Sequence, residues 1–258
     1  MSVATLIAAL GIPSSAMVEQ RVPKKLLLEN GAPTAADKRR LQDGIEEVAW
    51  VAALKPINIG VPAFKDDERE YLEIAILTVL LRPSAKVARI AELVHRAIPY
   101  PLVLLAEQGE TVTLSLAHKR WSQGETGKVV VDDVRGVAFN PEALSSHEAA
   151  FLASVAIARL PARDLFTLYD GMLARLVALD AARITGAFAA PVTGEDASAL
   201  CAALDRHARL KRELELVRTQ AAKEKQINRR VELNLARKGL EEEIGRLQSQ
   251  LAAPPTER

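Results

Sequence analysis

The four consecutive residues from His118 to Trp121 have side chains that could bind nucleic acid. In the sequence His-Lys-Arg-Trp, the two cations could neutralise a phosphate and the indole could stack on a base. In the alternative interpretation, Trp121 closes the edge of a hydrophobic core while Lys119 and Arg120 lie in solvent. Both interpretations place these residues at the end of a strand, so that strand end is the first place to look for a binding surface.

Two further pairs of cations are candidates for phosphate contacts. Lys24 and Lys25 follow Pro23 and precede an apolar run, and Arg229 and Arg230 lie in the charged C-terminal region. Adjacent cations suit the neutralisation of a nucleic-acid backbone. Alternatively, Lys24 and Lys25 are solvated residues that flank a buried segment.

No sequence motif for a phosphate loop or a dinucleotide site is present. The segment from Ser122 to Val129 contains Gly-Lys, but a phosphate loop requires glycine in place of Ser122 and serine or threonine in place of Val129. The segment is therefore predicted to be a loop between strands. The sequence G-x-G-x-x-G, which is typical of dinucleotide-binding proteins, does not occur in the chain.

A divergent metal-dependent nuclease is one alternative for the acidic residues. Many restriction-type nucleases place an acidic residue two positions before a lysine on one strand, because both groups meet at the same metal-bound water. No lysine in this chain has Asp or Glu at that position. Asp66, Asp67 and Glu73 are nevertheless near one another in the sequence, and Glu73 begins a predicted strand, so these residues are the candidates for a divergent site.

The histidines and the cysteine are dispersed along the chain. Cys201 is the single cysteine, and it lies in an apolar helical context that favours packing over reactivity. No H-E-x-x-H motif or Cys-His pairing is present. We therefore expect no catalytic residue, no metal site and no cofactor. The histidines are His95, His118, His147 and His207.

Composition limits the class of protein. A chain of 258 residues with 49% hydrophobic residues is long enough for one packed domain with an appendage. The net charge of +1 gives no overall attraction to nucleic acid or to an acidic membrane. The apolar segment Met1–Leu10 lacks a basic flank and is too short to cross a bilayer, so it is predicted to be a short docking helix. A cytoplasmic protein without membrane contact is expected.

A β-hairpin has the clearest pattern in the chain. Leu102–Ala106 is an uninterrupted apolar run, a turn containing Gly109 follows it, and polar and apolar residues alternate over Thr111–Leu116. Glu73–Leu81 is apolar and rich in β-branched residues, which predicts a central strand. The helix predicted between residues 84 and 98 would connect this strand to the hairpin by a parallel crossover.

The remaining elements of the globular part are predicted from weaker patterns. A mixed α/β (α+β) domain is expected over residues 1–188, with a small mixed sheet, flanking helices and strands between about residues 50 and 138. Its other predicted elements are a helix over 37–49, an edge strand over Trp50–Ile59, a strand over Lys128–Val137 and helices over 145–186.

The C-terminal region has the pattern of a long amphipathic helix. A hinge is predicted at residues 189–194, and no proline interrupts the following residues as far as Gln250. One coiled-coil-like helix is therefore expected over residues 195–252, with a register shift in its apolar stripe. The predicted partner interface on this helix consists of Leu210, Leu214, Val217, Val231, Leu235, Leu240, Ile244 and Leu247.

Several short segments between about residues 20 and 250 carry a resemblance in their order and spacing. They are Val22–Lys25, Ile45–Trp50 with Asn58 and Ile59, the strand with Glu73, Ala97–Leu102, His118–Arg120 and Glu224–Asn234. Together they resemble a bacterial family of unknown function whose genes typically lie beside a DNA methyltransferase and a helicase in restriction-like or anti-phage islands. The resemblance implies a genomic neighbourhood and partners, but it supplies no catalytic residue.

These observations together lead us to expect a non-catalytic accessory subunit of a restriction-like or anti-phage DNA-modification system. The tail helix would dock to a methyltransferase, to a helicase or to a second copy of the chain. The alternatives are a nucleic-acid-binding module and a divergent metal-dependent nuclease.

Overall fold

The structure, a computed structural model, describes residues 2–125, 128–190 and 194–252. The chain divides into two compact units, Met1–Leu176 and Val177–Arg258. The predicted fold class is confirmed, because the structure has a mixed sheet, flanking helices and a long helical C-terminal region. Of the predicted hinge at 189–194, residues 191–193 lie outside the described residues, as do residues 126 and 127 of the predicted loop.

The strands of the first unit form one large mixed sheet and two small antiparallel pairs within the described residues. The large sheet has the order β1-β2-β5-β6-β7-β10, and the small pairs are β3-β4 and β8-β9. The strands are β1 (Met17–Arg21), β2 (Ile45–Leu54), β3 (Phe64–Lys65), β4 (Glu70–Tyr71), β5 (Ile74–Leu81), β6 (Leu102–Gln108), β7 (Thr111–Leu116), β8 (Lys119–Trp121), β9 (Val129–Val131) and β10 (Arg135–Phe139).

Helices precede, connect and follow these strands. Short 3₁₀ turns occur at Ser14–Ala16 and Ile157–Arg159. The α-helices are α1 (Ser2–Leu10), α2 (Lys24–Asn30), α3 (Ala35–Gly44), α4 (Pro56–Ile59), α5 (Val87–Ala97), α6 (Ser146–Ser154), α7 (Leu165–Thr185), α8 (Gly194–Lys223) and α9 (Ile227–Ala252). None of the described helices is both long enough and apolar enough to cross a membrane.

The predicted hairpin and crossover are confirmed. β6 and β7 pair antiparallel, and Gly109 in the turn between them has a φ of +60°, a conformation that glycine adopts without steric cost. β5 lies in the interior of the sheet and pairs parallel with β6 through the α5 crossover. An uninterrupted apolar sequence is typical of such a strand, because both of its faces are covered.

The sheet extends further than the sequence pattern predicted. β2 begins at Ile45 instead of Trp50, and it lies between β1 and β5 instead of at an edge. The predicted helix over 37–49 ends at Gly44, because the apolar residues that follow pair in register with β5. β1 was not predicted, since four of its five residues are exposed and it carries no apolar alternation.

The predicted strand over Lys128–Val137 is two strands in the structure. Val129–Val131 pairs with the residues that follow the hairpin, and Arg135–Phe139 pairs with β7 at the edge of the large sheet. The two strands belong to different sheets, so the chain changes direction at Asp132–Val134. The predicted antiparallel partner of the hairpin is therefore β10.

Helices α2, α3 and α5 contact one another in the first unit, and apolar residues of all three join one core with β2, β5 and β6. Gly31 allows close packing here, because a Cβ atom at this position would lie 2.4 Å from the carbonyl oxygen of Leu93. The Thr34 side chain caps α3 by accepting a hydrogen bond from the backbone of Asp37 at 3.1 Å. The Asp37 carboxylate then accepts from Arg89 of α5 at 3.0 Å, which joins two helices by an ion pair.

The second unit shows that the tail is helical, as expected, but that it is not one continuous helix. α8 ends at Lys223 and α9 begins at Ile227, and the two helices fold back on each other as an antiparallel hairpin. Arg206 in the first half of α8 pairs with Glu243 of α9 at 2.5 Å. The prediction of one helix over residues 195–252 is therefore wrong, and the longer of the two helices, with 30 residues, rises only about 45 Å.

The helical hairpin of α8 and α9 explains why the apolar residues of the tail sequence change register between its first and second halves. A chain that folds back can bury the apolar residues of its second helix against those of its first, so it needs no partner chain for them. Predicted interface residues at both ends of the tail consequently belong to an internal core. This core contains Leu210, Leu214, Ile244 and Leu247, with Ala203 and Leu240 packed against it.

Candidate functional site

The sheet topology brings several candidate residues to one end of the large sheet. β2 runs antiparallel to β5, β5 runs parallel to β6, and β7 runs antiparallel to β6. The carboxyl ends of β2 and β7 therefore meet the amino ends of β5 and β6. We call this end the rim, and its residues include Lys55, Glu73, Pro99, Tyr100 and His118–Trp121.

A pocket of about 300 Å³ opens at the rim. Its walls combine two aromatic rings with apolar side chains, and two cations and one carboxylate line it as well. A mostly apolar pocket with a few polar groups is the usual form of a small-ligand site. The lining residues are Glu70, Leu72, Pro99, Tyr100, Lys119, Arg120, Trp121 and Val129.

Lys119 lies in the interior at the base of this pocket. Its exposed fraction is 3%, and its ammonium group donates a hydrogen bond to the carbonyl oxygen of Ile98. Burial lowers the pKa of Lys119 from 10.5 to about 7. The expectation that Lys119 is a solvated cation is therefore wrong, because β8 turns its side chain inward beneath the segment before β6.

His95 of α5 is buried and its ring interacts electrostatically with Lys119. Burial, followed by the neighbouring charge of Lys119, lowers the pKa of His95 to about 3. The ring Nε2 lies 3.1 Å from the Ser115 hydroxyl, and the structure records no partner for Nδ1 among the described residues. His95 is therefore a neutral imidazole at physiological pH, so it adds no second positive charge beside the Lys119 ammonium.

Arg120 and Trp121 form the open side of the pocket. The Arg120 Nε donates to Asp132 at 3.1 Å, and Arg69 donates to the other oxygen of the same carboxylate at 3.2 Å. The backbone N–H of Trp121 donates to the carbonyl oxygen of Glu68 at 2.8 Å. Both side chains are half-buried, so a ligand in the pocket could contact the guanidinium and the indole together.

His118 points away from solvent and joins a chain of hydrogen bonds. Its Nδ1 lies 2.5 Å from the Tyr71 hydroxyl and its Nε2 lies 3.1 Å from Asp170 of α7. Phe166 lies beside the imidazole, with ring centroids 5.2 Å apart. Burial raises the pKa of Tyr71, so its hydroxyl stays protonated. His118 is thus held by α7 and is not placed as a surface phosphate ligand.

The rim also contains the predicted nuclease residue Glu73. Its carboxylate lies 3.0 Å from the ammonium group of Lys55, which comes from the end of the neighbouring strand β2. A carboxylate and an ammonium group therefore meet at the rim even though no single strand carries both. Asp66 instead accepts hydrogen bonds from the backbones of Glu68 and Arg69. The part of the chain that the structure describes has no cluster of three acidic, histidine or cysteine ligands for a metal.

The other candidate cations lie elsewhere. The Lys24 ammonium group donates to the carbonyl oxygen of Ile45, which begins β2, so Lys24 and Lys25 lie at the opposite end of that strand from the rim. Lys25 pairs with Glu29 at 3.6 Å. Arg229 and Arg230 belong to α9 in the second unit. Of the predicted cations in the first unit, only Lys119 and Arg120 share the pocket.

Three residues of this site were not predicted from the sequence. Tyr100 forms a wall of the pocket, while Tyr71 and Asp170 hold His118. Tyr100 had one available signal, because an aromatic residue between two prolines has a restricted backbone and marks the point where a strand begins. The contacts of Tyr71 and Asp170 are long-range, and no local pattern could have indicated them.

Comparison with known proteins adds a family to this description. No curated protein and no solved structure matches the chain. A family model described as a domain of unknown function, DUF4391, matches residues 10–244. This match covers most of the chain, including the rim, all of α8 and most of α9. The chain therefore belongs to the DUF4391 family, a domain of unknown function.

Proposed function

We propose that this protein is a non-catalytic accessory subunit of a restriction-like or anti-phage DNA-modification system. In this proposal the α8–α9 hairpin docks to a DNA methyltransferase or a helicase encoded in the same gene cluster. The resemblance described above motivates the choice of partners. A role beside such enzymes would place the protein in the cytoplasm.

The observation that carries the proposal is an exposed apolar stripe on α9. Ile227, Val231 and Leu235 are spaced four residues apart, and their exposed fractions are 69%, 52% and 66%. Residues at this spacing lie on one face of a helix. The internal core of the hairpin leaves these residues uncovered, although Val231 and Leu235 were predicted as interface residues. We call this set the α9 stripe.

The α9 stripe is large enough to matter energetically. Full burial of one aliphatic side chain of this size contributes about 1.5–3 kcal/mol, so covering the three would favour association by several kcal/mol. Arg230 lies on the same helix, and the structure records no acidic partner for its guanidinium among the described residues. An amphipathic helix with apolar residues at the same spacing and an acidic flank is the partner surface that suits these features.

Co-purification from the native gene cluster tests this proposal. The tagged wild-type chain is expected to retain the methyltransferase or the helicase, whereas the triple variant I227S/V231S/L235S loses it. The matched control E232S/A236S changes exposed residues that each lie one position after a stripe residue, on a different face of the helix, and should retain the partner. Circular dichroism should show equal helix content for both variants.

Two outcomes would overturn the docking proposal. A wild-type chain that stays free of both neighbours at micromolar concentration would reject it. The second outcome is a purified wild-type chain with twice the mass of one chain. If the triple variant has the mass of one chain and the control variant does not, the α9 stripe binds a second copy instead. Light scattering of the purified chain distinguishes the second outcome from true docking.

A nucleic-acid-binding module is the second candidate function, and the rim pocket favours it. Arg120, Trp121 and Tyr100 place a cation and two rings on one opening, which suits an unpaired base and its phosphate. Affinity is then expected to fall steeply with salt. Replacing a cation that contacts phosphate should lower the slope of log K against log salt by about one.

The six predicted cations can be tested one at a time. Arg120→Gln should flatten the salt dependence, while Lys86→Gln serves as a control, because Lys86 is an exposed lysine that is not one of the six. The remaining single variants are Lys24→Gln, Lys25→Gln, Lys119→Met, Arg229→Gln and Arg230→Gln. No salt-dependent binding of the wild-type chain to single- or double-stranded DNA would reject this candidate.

A further inference from the structure

We propose that the rim pocket binds a nucleotide, with the aromatic base against Trp121 and Tyr100 and the phosphate directed at Lys119 and Arg120. The inference is independent of docking through the α9 stripe. It specifies a ligand for the pocket that the nucleic-acid-binding candidate uses. It rests on that candidate function only if the bound nucleotide is the end of a nucleic-acid strand.

The first observation is a buried ammonium group in the pocket that has no acidic partner. Lys119 lines the pocket, and its recorded contact is the carbonyl oxygen of Ile98. No carboxylate pairs with it in the part of the chain that the structure describes. A buried cation without a counter-ion is unfavourable, and an anionic ligand would remove much of that cost. The nearby carboxylate of Glu70 is already paired with Lys65 at 2.6 Å.

The second observation is that Arg120 is held with part of its guanidinium available. Asp132 accepts from Nε, and the structure records no partner for the two terminal nitrogens of Arg120. The same Asp132 also binds Arg69, so its position is fixed from two sides. A guanidinium fixed at Nε can present its terminal N–H groups to a phosphate, which is a strong charge-assisted interaction.

The third observation is the aromatic character of the walls. Trp121 and Tyr100 both line the pocket, and Trp50 lies beside Tyr100 with a centroid separation of 6.4 Å. Pro99 and Leu72 complete an apolar surface against which a flat ring can pack. Stacking on an aromatic side chain typically contributes about 1–3 kcal/mol for each base.

The size of the pocket limits the ligand. A volume of about 300 Å³ lies at the lower end of the range for small-molecule sites. The pocket therefore suits one nucleotide unit. The remaining nucleotides of a longer nucleic-acid strand would extend out of the pocket on its open side, past Arg120 and Trp121.

Titration calorimetry with deoxythymidine monophosphate and with thymidine, which lacks the phosphate, tests the proposal. The wild-type chain is expected to bind the nucleotide at least about tenfold more tightly than the nucleoside, because hydrogen bonds to charged groups contribute about 1.5–3 kcal/mol. Lys119→Met should reduce this preference, the double variant Lys119→Met/Arg120→Gln should abolish it, and both should leave the affinity for thymidine close to that of the wild type. Trp121→Ala should weaken both ligands by about fivefold or more.

Lys86→Met is the matched control, because Lys86 is an exposed lysine outside the pocket. It should bind both ligands like the wild type. Methionine at position 119 fills the same space without a buried charge, so lost binding in that variant would not follow from unfolding. Equal affinities of the wild type for nucleotide and nucleoside, an unchanged preference in Lys119→Met, or no heat with millimolar nucleotide would each overturn the proposal.

Competition with short single-stranded oligonucleotides identifies the source of the nucleotide. If the ligand is a strand end, an oligonucleotide with a terminal phosphate displaces the mononucleotide and the unphosphorylated one does not. If the ligand is a free nucleotide, neither oligonucleotide displaces it. Salt-dependent DNA binding that persists in Lys119→Met, without any mononucleotide binding, would reject the pocket proposal and leave the second candidate function standing.

Discussion

Replacing Lys119 with methionine is expected to remove a measurable part of the pH dependence of folding stability. Burial lowers the pKa of Lys119 from 10.5 to about 7 in the folded protein. Between these two values the unfolded chain binds a proton that the folded chain does not bind. The free energy of unfolding of the wild type therefore rises with pH across this window.

The magnitude follows from the same two values. Each pKa unit corresponds to about 1.4 kcal/mol, so the whole lowering is worth about 5 kcal/mol, all of which opposes folding below pH 7. About half of this cost is relieved between pH 6 and pH 9, which corresponds to about 2–3 kcal/mol. Methionine has no proton to bind, so the advantage of the variant over the wild type should be largest at pH 6 and shrink by that amount at pH 9.

Urea unfolding followed by tryptophan fluorescence measures this difference. Both tryptophans, Trp50 and Trp121, lie in the first unit, so the signal reports on the unit that contains Lys119. Burial lowers the pKa of His95 to about 3, so its ring is neutral in the folded protein, and its titration in the unfolded chain is common to the wild type and the variant and cancels in their difference. The variant Lys86→Met should show no change relative to the wild type.

A constant difference between the wild type and Lys119→Met would refute this reasoning. If the two chains differ by the same free energy at pH 6, 7, 8 and 9, within about 0.5 kcal/mol, the Lys119 ammonium is solvated in the folded protein. The base of the rim pocket would then be open to water.

Three further predictions test other parts of the first unit and the helical hairpin. Gly31→Ala should lower the free energy of unfolding, measured in urea, by about 1–3 kcal/mol, because the new Cβ atom would lie 2.4 Å from the Leu93 carbonyl oxygen. Gly239→Ala is the contrasting variant and should raise that free energy by about 0.5–1 kcal/mol, because no atom lies near its Cβ position. Asp37→Asn should lower the melting temperature at pH 6. The difference from the wild type should shrink as the pH falls toward the Asp37 pKa of about 2, because a carboxyl group with a lowered pKa stabilises the fold only while it is ionised. If the nuclease alternative is correct, magnesium-dependent cleavage of plasmid DNA should disappear in Glu73→Ala, and a wild-type chain that leaves DNA intact rejects it.

The sequence was a good guide to elements whose pattern is local. The hairpin at Leu102–Leu116 and the central strand β5 were predicted, because apolar runs and a turn glycine depend only on neighbouring residues. The start of β2 was misplaced, since Ile45 and Val48 suit one face of a helix as well as a strand. Pairing with β5 decides between the two structures, and that pairing is long-range.

The sequence pointed to a strand end that lines the rim pocket, but not to how its side chains are held. His118–Trp121 does reach a pocket at the end of a strand, yet Lys119 is buried and His118 is held by α7. No local signal distinguishes a buried lysine from an exposed one. The carbonyl group that accepts its hydrogen bond belongs to Ile98, which lies in a different part of the sequence. The hairpin of α8 and α9 was missed for a similar reason, because the break at residues 224–226 contains neither proline nor glycine.

The rim has a consequence for how the first unit folds. Its pocket is assembled from β4 and the residue after it, from the segment before β6, and from β8 and β9. The parallel pair β5-β6 must close through the α5 crossover before these segments meet. Such non-local pairing is slow because the chain loses entropy before it gains contacts. The pocket therefore exists only in molecules whose sheet is complete. A ligand that occupies it would raise the unfolding free energy of the whole sheet by mass action, and would protect amide hydrogens on strands that it never touches.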